Sequence, residues 1–265
     1  MATQPPPALP IFYKELIPLL STDHAKWQTR ATESPSYFAG QHAVPLTVDE
    51  FMLAQRFYPI VFSDAAEPVP LALFGLNEGV NTFVNEDGRG ETSFYVPAYV
   101  RRYPFMLARL QEDKPDLSLC FDPQSDMVGE FKDGQPLFED GKPTENLNNI
   151  MKFCEDFDIS VQRTGQFVRE LQELDLLIDG EVTIQPNGSE QPFVYRGFKM
   201  VAEEKLRDLH GDQLRKINQS GILGLIHAHL FSLQLVQSLF SSQAMQGKVP
   251  GFDPQAQPQP ATADA

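Results

Sequence analysis

The sequence predicts an α+β fold: an antiparallel sheet of about five strands in the first half, covered by helices mainly from the second half. Short apolar runs between turn residues fill the first half, and such runs are typical of strands joined by hairpins. Apolar residues recur at helical spacing through most of the second half. Hydrophobic residues make up 42% of the 265 residues, and 20 residues are Phe, so a large core can be buried.

The first predicted element of the domain is a short helix. Thr47 occupies its N-cap position, Glu50 lies at the reciprocal capping-box position, and Pro59 ends it. β-Branched and aromatic residues between turn signals then predict five strands, at residues 60–62, 70–74, 81–85, 94–96 and 117–121. Because the connections are short, we expect the strands to pair in antiparallel fashion.

Helices dominate the prediction for the second half. Pro143 occupies the preferred first position of one helix, and a second helix is predicted after Asp158. A later β-hairpin is predicted from residues 181–184 and 193–195, because Asn187-Gly188 supplies the positive φ angles of a tight turn. The last elements are a helix at residues 203–209 and an apolar, buried C-terminal helix at residues 222–240.

One domain of residues 35–245 is predicted, with two tightly packed lobes as the alternative. Residues 1–34 are expected to be a partly disordered extension, and residues 246–265, rich in Pro, Gln and Ala, a disordered tail. The apolar helix approaches the length of a membrane span, but His227, His229 and Gln234 interrupt it. No secretory signal is visible at the N-terminus, so we expect a cytoplasmic protein.

The charge balance disfavours one large class of partners. The chain has 36 acidic and 21 basic residues and a net charge of −15, whereas phosphate backbones attract basic proteins. We therefore expect no nucleic-acid partner. The two cysteines, Cys120 and Cys154, are too few for a disulfide framework and fit a reducing compartment, and whether they pair stays open.

Metal and catalytic motifs are weak in this sequence. His227 and His229 lie about 200° apart around a helix, so they cannot share an ion there. His210-Gly211-Asp212 has the spacing of two iron ligands in non-haem oxygenases, but it falls between helices, where a polar turn is the simpler interpretation. A Gly-x-Ser-x-Gly elbow is missing. We therefore predict no metal, no cofactor and no catalytic residue, and favour a protein that is not an enzyme.

Residues 95–105 form the most unusual segment, with three Tyr, two Arg and two Pro. Pro97 starts a short helix and Pro104 ends it, which leaves barely more than one turn. Two adjacent arginines point about 100° apart there, so one is expected inside and one in solvent. The inner one could hold an internal carboxylate or a ligand anion. The candidate ligand-binding residues are Tyr95, Tyr99, Arg101, Arg102 and Tyr103.

The same segment carries a family resemblance. Residues 58–62 are Tyr-Pro-Ile-Val-Phe, residues 95–99 are Tyr-Val-Pro-Ala-Tyr, and residues 101–105 are Arg-Arg-Tyr-Pro-Phe. With Pro45-Leu46, Gly75-Leu76 and residues 221–233, they resemble the signature of the bacterial SapC-like family, named for a gene of a surface-layer protein locus. The resemblance spans residues 35–240 or so. Gly90 departs from it, because an aromatic residue such as Trp is expected there.

The resemblance implies an accessory role. Members are often encoded near flavin-dependent halogenase-like proteins, cupin-like oxygenases and TonB-dependent receptors, which implies uptake or peptide modification and makes the first two candidate partners. We therefore expect a non-catalytic binding or accessory protein that recognises a small anionic ligand, a peptide or a partner protein. Two alternatives stay open: a peptide-modifying oxidoreductase or its subunit, and a surface-layer-associated structural protein.

Overall fold

Both α-helices and β-strands occur in the part of the chain that the computed structural model describes, residues 9–32, 35–85, 88, 90, 94–110, 117–186 and 192–251. The helices are α1 (Phe51–Ala54), α2 (Ala98–Arg102), α3 (Glu145–Glu173), α4 (Glu203–Arg207), α5 (Gly211–Gln219), α6 (Ile222–Ser232) and α7 (Leu235–Met245). The strands are β1 (Ile17–Pro18), β2 (Gln28–Thr29), β3 (Ala43–Pro45), β4 (Ile60–Ser63), β5 (Pro70–Leu73), β6 (Phe105–Ala108), β7 (Ser118–Phe121), β8 (Val128–Gly129), β9 (Gln135–Pro136), β10 (Phe138–Glu139), β11 (Lys142–Pro143), β12 (Leu177–Asp179), β13 (Val182–Ile184), β14 (Phe193–Tyr195) and β15 (Phe198–Val201). The predicted α+β class is confirmed.

The largest sheet is antiparallel and has five strands, in the order β12-β15-β4-β5-β3. A five-stranded antiparallel sheet was predicted, but its membership differs, because β12 and β15 come from the second half of the chain. Ile60, Val61 and Phe62 in the central strand β4 are at most 1% exposed, so the sheet is covered on both faces. Smaller antiparallel groups are β1-β7-β6, β8-β2-β9, β10-β11 and β13-β14.

The prediction of a strand at residues 81–85 is wrong. Val84 forms a single bridge with Gly90, outside any strand. The carboxamide oxygen of Asn81 accepts hydrogen bonds from the Phe83 and Val84 N–H groups, at 2.9 and 3.0 Å. The Asn81 side chain therefore binds backbone N–H groups that a neighbouring strand would otherwise bind, and it forms a local turn, as Asn commonly does.

The strand predicted at residues 94–96 is also wrong, and the one predicted at 117–121 lies in a different sheet. The Tyr95 carbonyl accepts the Tyr58 hydroxyl at 3.1 Å, and the Val96 carbonyl accepts Arg101 Nε at 3.0 Å. Side chains thus satisfy backbone groups that a neighbouring strand would otherwise bind. β7 pairs with β1 and β6 rather than with the five-stranded sheet.

Helix α3 is one continuous helix of 29 residues, where two helices were predicted. No Gly or Pro interrupts it between Thr144 and Gly165, so nothing ends the helix at Asp158. Thr144 rather than Pro143 precedes the first turn, and its hydroxyl accepts the Leu147 N–H at 3.3 Å. Because α3 contributes buried side chains to both larger core clusters, it joins the two halves of the fold.

The packed part of the chain is longer at both ends than the predicted domain of residues 35–245. Tyr13 is 6% exposed and its hydroxyl donates to the Phe105 carbonyl at 2.7 Å, so the N-terminal segment lies on the domain. At the other end Val249 is 4% exposed, and Lys248 Nζ donates to the Asn81 carbonyl at 2.8 Å. Isolated anchors of this kind have no periodicity that a sequence could reveal. Residues 252–265 lie outside the described part of the chain.

The predicted hairpin is confirmed by β13 and β14, although its turn at Asn187-Gly188 is not among the described residues. The predicted C-terminal helix is divided into α6 and α7. Together they are long and apolar enough to cross a membrane by length and composition, with 24 residues and a mean hydropathy of 1.4, and 39% of the tested window is buried. His229 is fully buried, whereas Phe231 is 61% exposed, so α6 has one buried and one exposed face.

Candidate functional site

Residues 95–105 form the short helix that the two prolines predicted. Pro97 directly precedes α2, and Pro104 follows it through a cis peptide bond with Tyr103. Arg101 is exposed and Arg102 is 7% exposed. The predicted division of the two arginines between solvent and core is therefore confirmed.

A buried carboxylate holds this segment at its N-terminal end. Glu50 is 5% exposed, and its Oε1 accepts the Ala98 N–H at 2.6 Å and the Tyr95 hydroxyl at 3.0 Å. Its Oε2 accepts the N–H and the hydroxyl of Thr47, at 3.0 and 2.8 Å. Four donors thus replace the water that this carboxylate loses on burial. The capping box predicted only the pair with Thr47; the contact with Ala98 spans 48 residues and has no local signal.

Arg102 lies in an aromatic cage. Its guanidinium carbon is 4.4 Å from the ring centroid of Phe157, 5.3 Å from that of Tyr99 and 6.0 Å from that of Tyr13. One Nη atom lies 3.9 Å from Asp158 Oδ1, and burial raises the pKa of Asp158 while Arg102 opposes that rise. The buried Nε has no hydrogen-bond partner among the described residues. Arg102 therefore lies next to an internal carboxylate, which is one of the two roles considered for the inner arginine; the other was to hold a ligand anion.

Replacing Arg102 by Met is expected to lower the free energy of unfolding by about 1–3 kcal/mol, because it removes a cation from three rings but keeps an unbranched side chain. Urea unfolding at pH 7 measures the change. Arg163→Met is the matched control, since it removes an exposed ion pair with Asp49 and should cost less than about 1 kcal/mol. Equal stability of Arg102→Met and wild type would show that the cage does not stabilise the fold.

Arg101 faces a groove beside α2, with a volume of about 570 Å³. We call it the Arg101 groove; its walls include Arg30, Arg101, Tyr103, Met127, Asp133 and Ile150. The volume lies within the usual range for small-ligand sites. Residues from β2, α2, the Tyr103-Pro104 turn and α3 meet here, so the groove exists only in the folded chain.

Arg101 is held in a fixed position at the edge of this groove. Its Nε donates to the Val96 carbonyl at 3.0 Å, and one Nη donates to the Tyr95 hydroxyl at 3.2 Å. Its guanidinium carbon is 5.2 Å from the centroid of the Phe153 ring. Burial and the neighbouring Glu50 raise the pKa of Tyr95, so the hydroxyl that links Arg101 to Glu50 stays neutral. Within the described part of the chain, its other guanidinium N–H groups have no hydrogen-bond partner.

Arg30 is a second arginine of the groove that sequence reasoning missed. Its Nε donates to the Asp126 carbonyl at 2.7 Å, and its guanidinium carbon is 4.3 Å from the Phe131 ring centroid. Both Arg30 and Arg101 are exposed, and within the described part of the chain neither forms an ion pair. Arg30 was missed because it belongs to residues 1–34, which were expected to be an extension.

The five predicted residues divide into three groups. Arg101 and Tyr103 line the groove. Tyr95 lies behind Arg101 and fixes its position. Tyr99 and Arg102 face the core, and the Tyr99 hydroxyl donates to the Ile11 carbonyl at 3.4 Å. A helix of barely more than one turn cannot bring all five side chains to one surface.

The other candidate groups have structural partners. His210 is the N-cap of α5, where its backbone N–H donates to the Gln213 side chain at 3.2 Å, and Gly211 and Asp212 belong to the first turn of this helix rather than to a turn between helices. Cys120 and Cys154 are both buried and free, and burial raises the pKa of Cys154 to about 12. Within the described residues, no group of three or more His, Cys, Asp or Glu side chains could hold a metal ion.

The fold and the groove together define an antiparallel α+β protein with an arginine-lined groove beside a one-turn helix. The family model of the SapC family matches residues 19–239, and the chain belongs to this family. The matched region includes Arg30 and all five predicted site residues, and it begins earlier than the resemblance indicated. No curated protein and no solved structure matches the chain.

Proposed function

We propose that this member of the SapC family is a non-catalytic binding or accessory protein, and that the Arg101 groove recognises an anionic group of its ligand. The observation that carries the proposal is the pair of exposed arginines in one groove, neither of them in an ion pair with a described residue, in a chain of net charge −15. The chain has 36 acidic side chains that could pair with these arginines. Because none of the described ones does, two guanidinium groups in one groove favour the binding of an anion from outside the chain.

The geometry favours a carboxylate over a single compact ion. Each arginine uses its Nε on a backbone carbonyl and lies over an aromatic ring, so the guanidinium plane is already oriented before a ligand arrives. Preorganised guanidinium groups bind carboxylates through two parallel hydrogen bonds.

The rest of the groove favours a peptide. Met127 and Ile150 supply apolar wall, and Asp133 supplies an acceptor for an amine or an amide N–H. A ligand with a carboxylate, an apolar side chain and N–H donors matches all three wall types. Such a ligand fits the peptide-modification or uptake setting that the SapC resemblance implies, in which halogenase-like or cupin-like proteins would be partners.

The test begins with co-purification from host cells and identification of bound peptides and small molecules by mass spectrometry. Calorimetry then compares wild type with Arg101→Met and Arg30→Met. Each substitution should reduce affinity about ten- to a hundredfold, the loss of ~1.5–3 kcal/mol expected for one charge-assisted hydrogen bond. The melting temperature of both variants should stay within about two degrees of wild type, because both side chains are exposed.

Two matched variants separate binding from scaffolding. Arg196→Met removes an exposed arginine of the β13–β14 hairpin, and Tyr99→Phe removes a hydroxyl that faces the backbone rather than the groove. Both should bind like wild type. Unchanged affinity in Arg101→Met and in Arg30→Met would show that the groove is not the binding site.

A further inference from the structure

The outer face of α6 is a surface that the Arg101 groove does not account for. A helix turns about 100° per residue, so positions 223, 224, 227, 230 and 231 share one side. Gly224, His227 and Phe231 are exposed there, and Leu223 and Leu230 are half-buried. We define these five residues as the α6 outer face.

This face is apolar although it meets solvent. No Asp, Glu, Lys or Arg occurs between Lys216 and Lys248. The Phe231 side chain is 61% exposed, and the His227 ring stacks on it with centroids 5.7 Å apart. A helix that is apolar on every side is normally covered on every side. The core covers the opposite side of α6, through residues such as Ile226, and leaves the outer face open.

A groove of about 380 Å³ continues this face toward the sheet. Leu230 and Leu233 form one side, and Ile178 of β12 and Met200 of β15 form the other. Helix α4 borders the groove with charged residues. The surface is therefore an apolar strip with a charged edge, which is the usual anatomy of a protein–protein contact.

The charged edge has an excess of negative charge. Glu203, Glu204 and Arg207 line the groove, and Arg207 already donates to Glu203 at 2.8 Å. Glu204 and Asp208 add two further carboxylates near the same guanidinium group. A second copy of this chain would bring a like-charged edge, and an anionic lipid surface would repel it. A basic partner complements it.

We propose that the α6 outer face and its groove dock a basic amphipathic helix of a partner protein. The apolar side of that helix packs on Phe231 and Leu230, and its Lys or Arg side chains approach Glu203 and Glu204. α6 has 11 residues and is about 16 Å long, which matches a docked helix of about three turns. This docking surface is separate from the Arg101 groove and does not depend on the function proposed for it.

The test uses a fluorescein-labelled peptide of about 18 Leu and Lys residues, in which Leu recurs at positions i, i+3, i+4 and i+7. Fluorescence anisotropy measures its Kd for full-length protein at low salt. Phe231→Ser should raise the Kd at least tenfold, and Glu204→Lys should raise it severalfold by placing a like charge at the edge. Phe231→Ser should still fold, because most of its side chain is exposed.

Matched controls identify binding that depends only on total charge or general hydrophobicity. Met245→Ser removes a 77% exposed apolar side chain of α7, and Glu155→Lys reverses an exposed charge of α3, and neither should change the Kd. A peptide of the same composition without the helical spacing should bind more weakly. Three outcomes would overturn the proposal: equal Kd in all variants, a dimer that Phe231→Ser dissociates in light scattering, or binding to phosphatidylcholine vesicles that the same variant abolishes.

Discussion

Glu50→Ala is expected to lower the free energy of unfolding by about 3–5 kcal/mol, a larger loss than that expected for Arg102→Met. Glu50 is 5% exposed and accepts four hydrogen bonds, from both donors of Thr47, from the Tyr95 hydroxyl and from the Ala98 N–H. Alanine leaves these donors buried without an acceptor and adds a cavity beside α2. Urea unfolding at pH 7 measures the loss.

Asp49→Ala is the matched control, because it removes the adjacent carboxylate, which forms an exposed ion pair with Arg163. It should cost less than about 1 kcal/mol. Glu50→Gln should fall between the two, because an amide keeps one acceptor but turns its NH₂ toward donors. If Glu50→Ala is no less stable than Asp49→Ala, the buried carboxylate does not hold α2 in place.

The second large expected effect is on the pH dependence of stability, and it comes from His229, which lies between two strands. The register of β15 and β4 places Phe198 opposite Ser63 and Lys199 opposite Phe62, and continuing it brings Val201 opposite Ile60. There the fully buried imidazole stands between the strands: Nε2 accepts the Val201 N–H at 3.1 Å, and Nδ1 donates to the Ile60 carbonyl at 2.8 Å. These two bonds require the neutral ring with its proton on Nδ1.

The stability of the protein is therefore expected to fall as the pH decreases from 7 to 5. Burial lowers the pKa of His229 to about 4, whereas an unfolded His titrates near 6.5. Between these values the unfolded chain binds a proton that the folded chain does not, so the free energy of unfolding decreases as the pH falls. His229 is expected to contribute about 2 kcal/mol to the decrease in the free energy of unfolding between pH 7 and pH 5.

Urea unfolding of wild type and His229→Gln at both pH values isolates this share. At pH 7 the variant should be less stable by about 3 kcal/mol, because the acyclic Gln amide does not place its donor and acceptor where the two ring nitrogens lie and leaves part of the ring volume empty. At pH 5 the difference should be about 2 kcal/mol smaller. His227→Gln changes an exposed imidazole of the same helix and should keep the wild-type pH dependence. An NMR titration of the wild-type imidazole that reaches its midpoint near pH 6.5 would contradict the prediction.

Local sequence signals correctly predicted the elements that are determined by residues only a few positions away. Pro97 and Pro104 bound α2 because each fixes φ and restricts the residue before it. Thr47 and Glu50 predicted a helix start through side chains three residues apart. The inward and outward positions of Arg102 and Arg101 followed from the 100° step of a helix. None of these inferences needed a distant part of the chain.

Two of the errors arose where a residue outside the predicted segment supplied the partner. The segment at 94–96 is rich in β-forming residues, yet it is no strand, because Tyr58 and Arg101 bind its carbonyl groups. Strand β12 was not predicted, because it pairs with β15, which lies beyond the predicted hairpin. Propensity sets a weak preference, and tertiary hydrogen bonds are strong enough to override it.

The motifs of the sequence by themselves indicated the family. The sequence also determined the fold class, the one-turn helix and the inward and outward directions of its two arginines, because proline, caps and periodicity act through bonds to near neighbours. The tertiary structure decided which strands share the five-stranded sheet, which acid holds α2, and that Arg30 joins Arg101 in one groove. Arg30 and Arg101 are separated by most of the first half of the chain. Their guanidinium groups line one groove only because the N-terminal segment packs against α2 and α3. Burial of residues such as Tyr13 supplies the free energy for that packing.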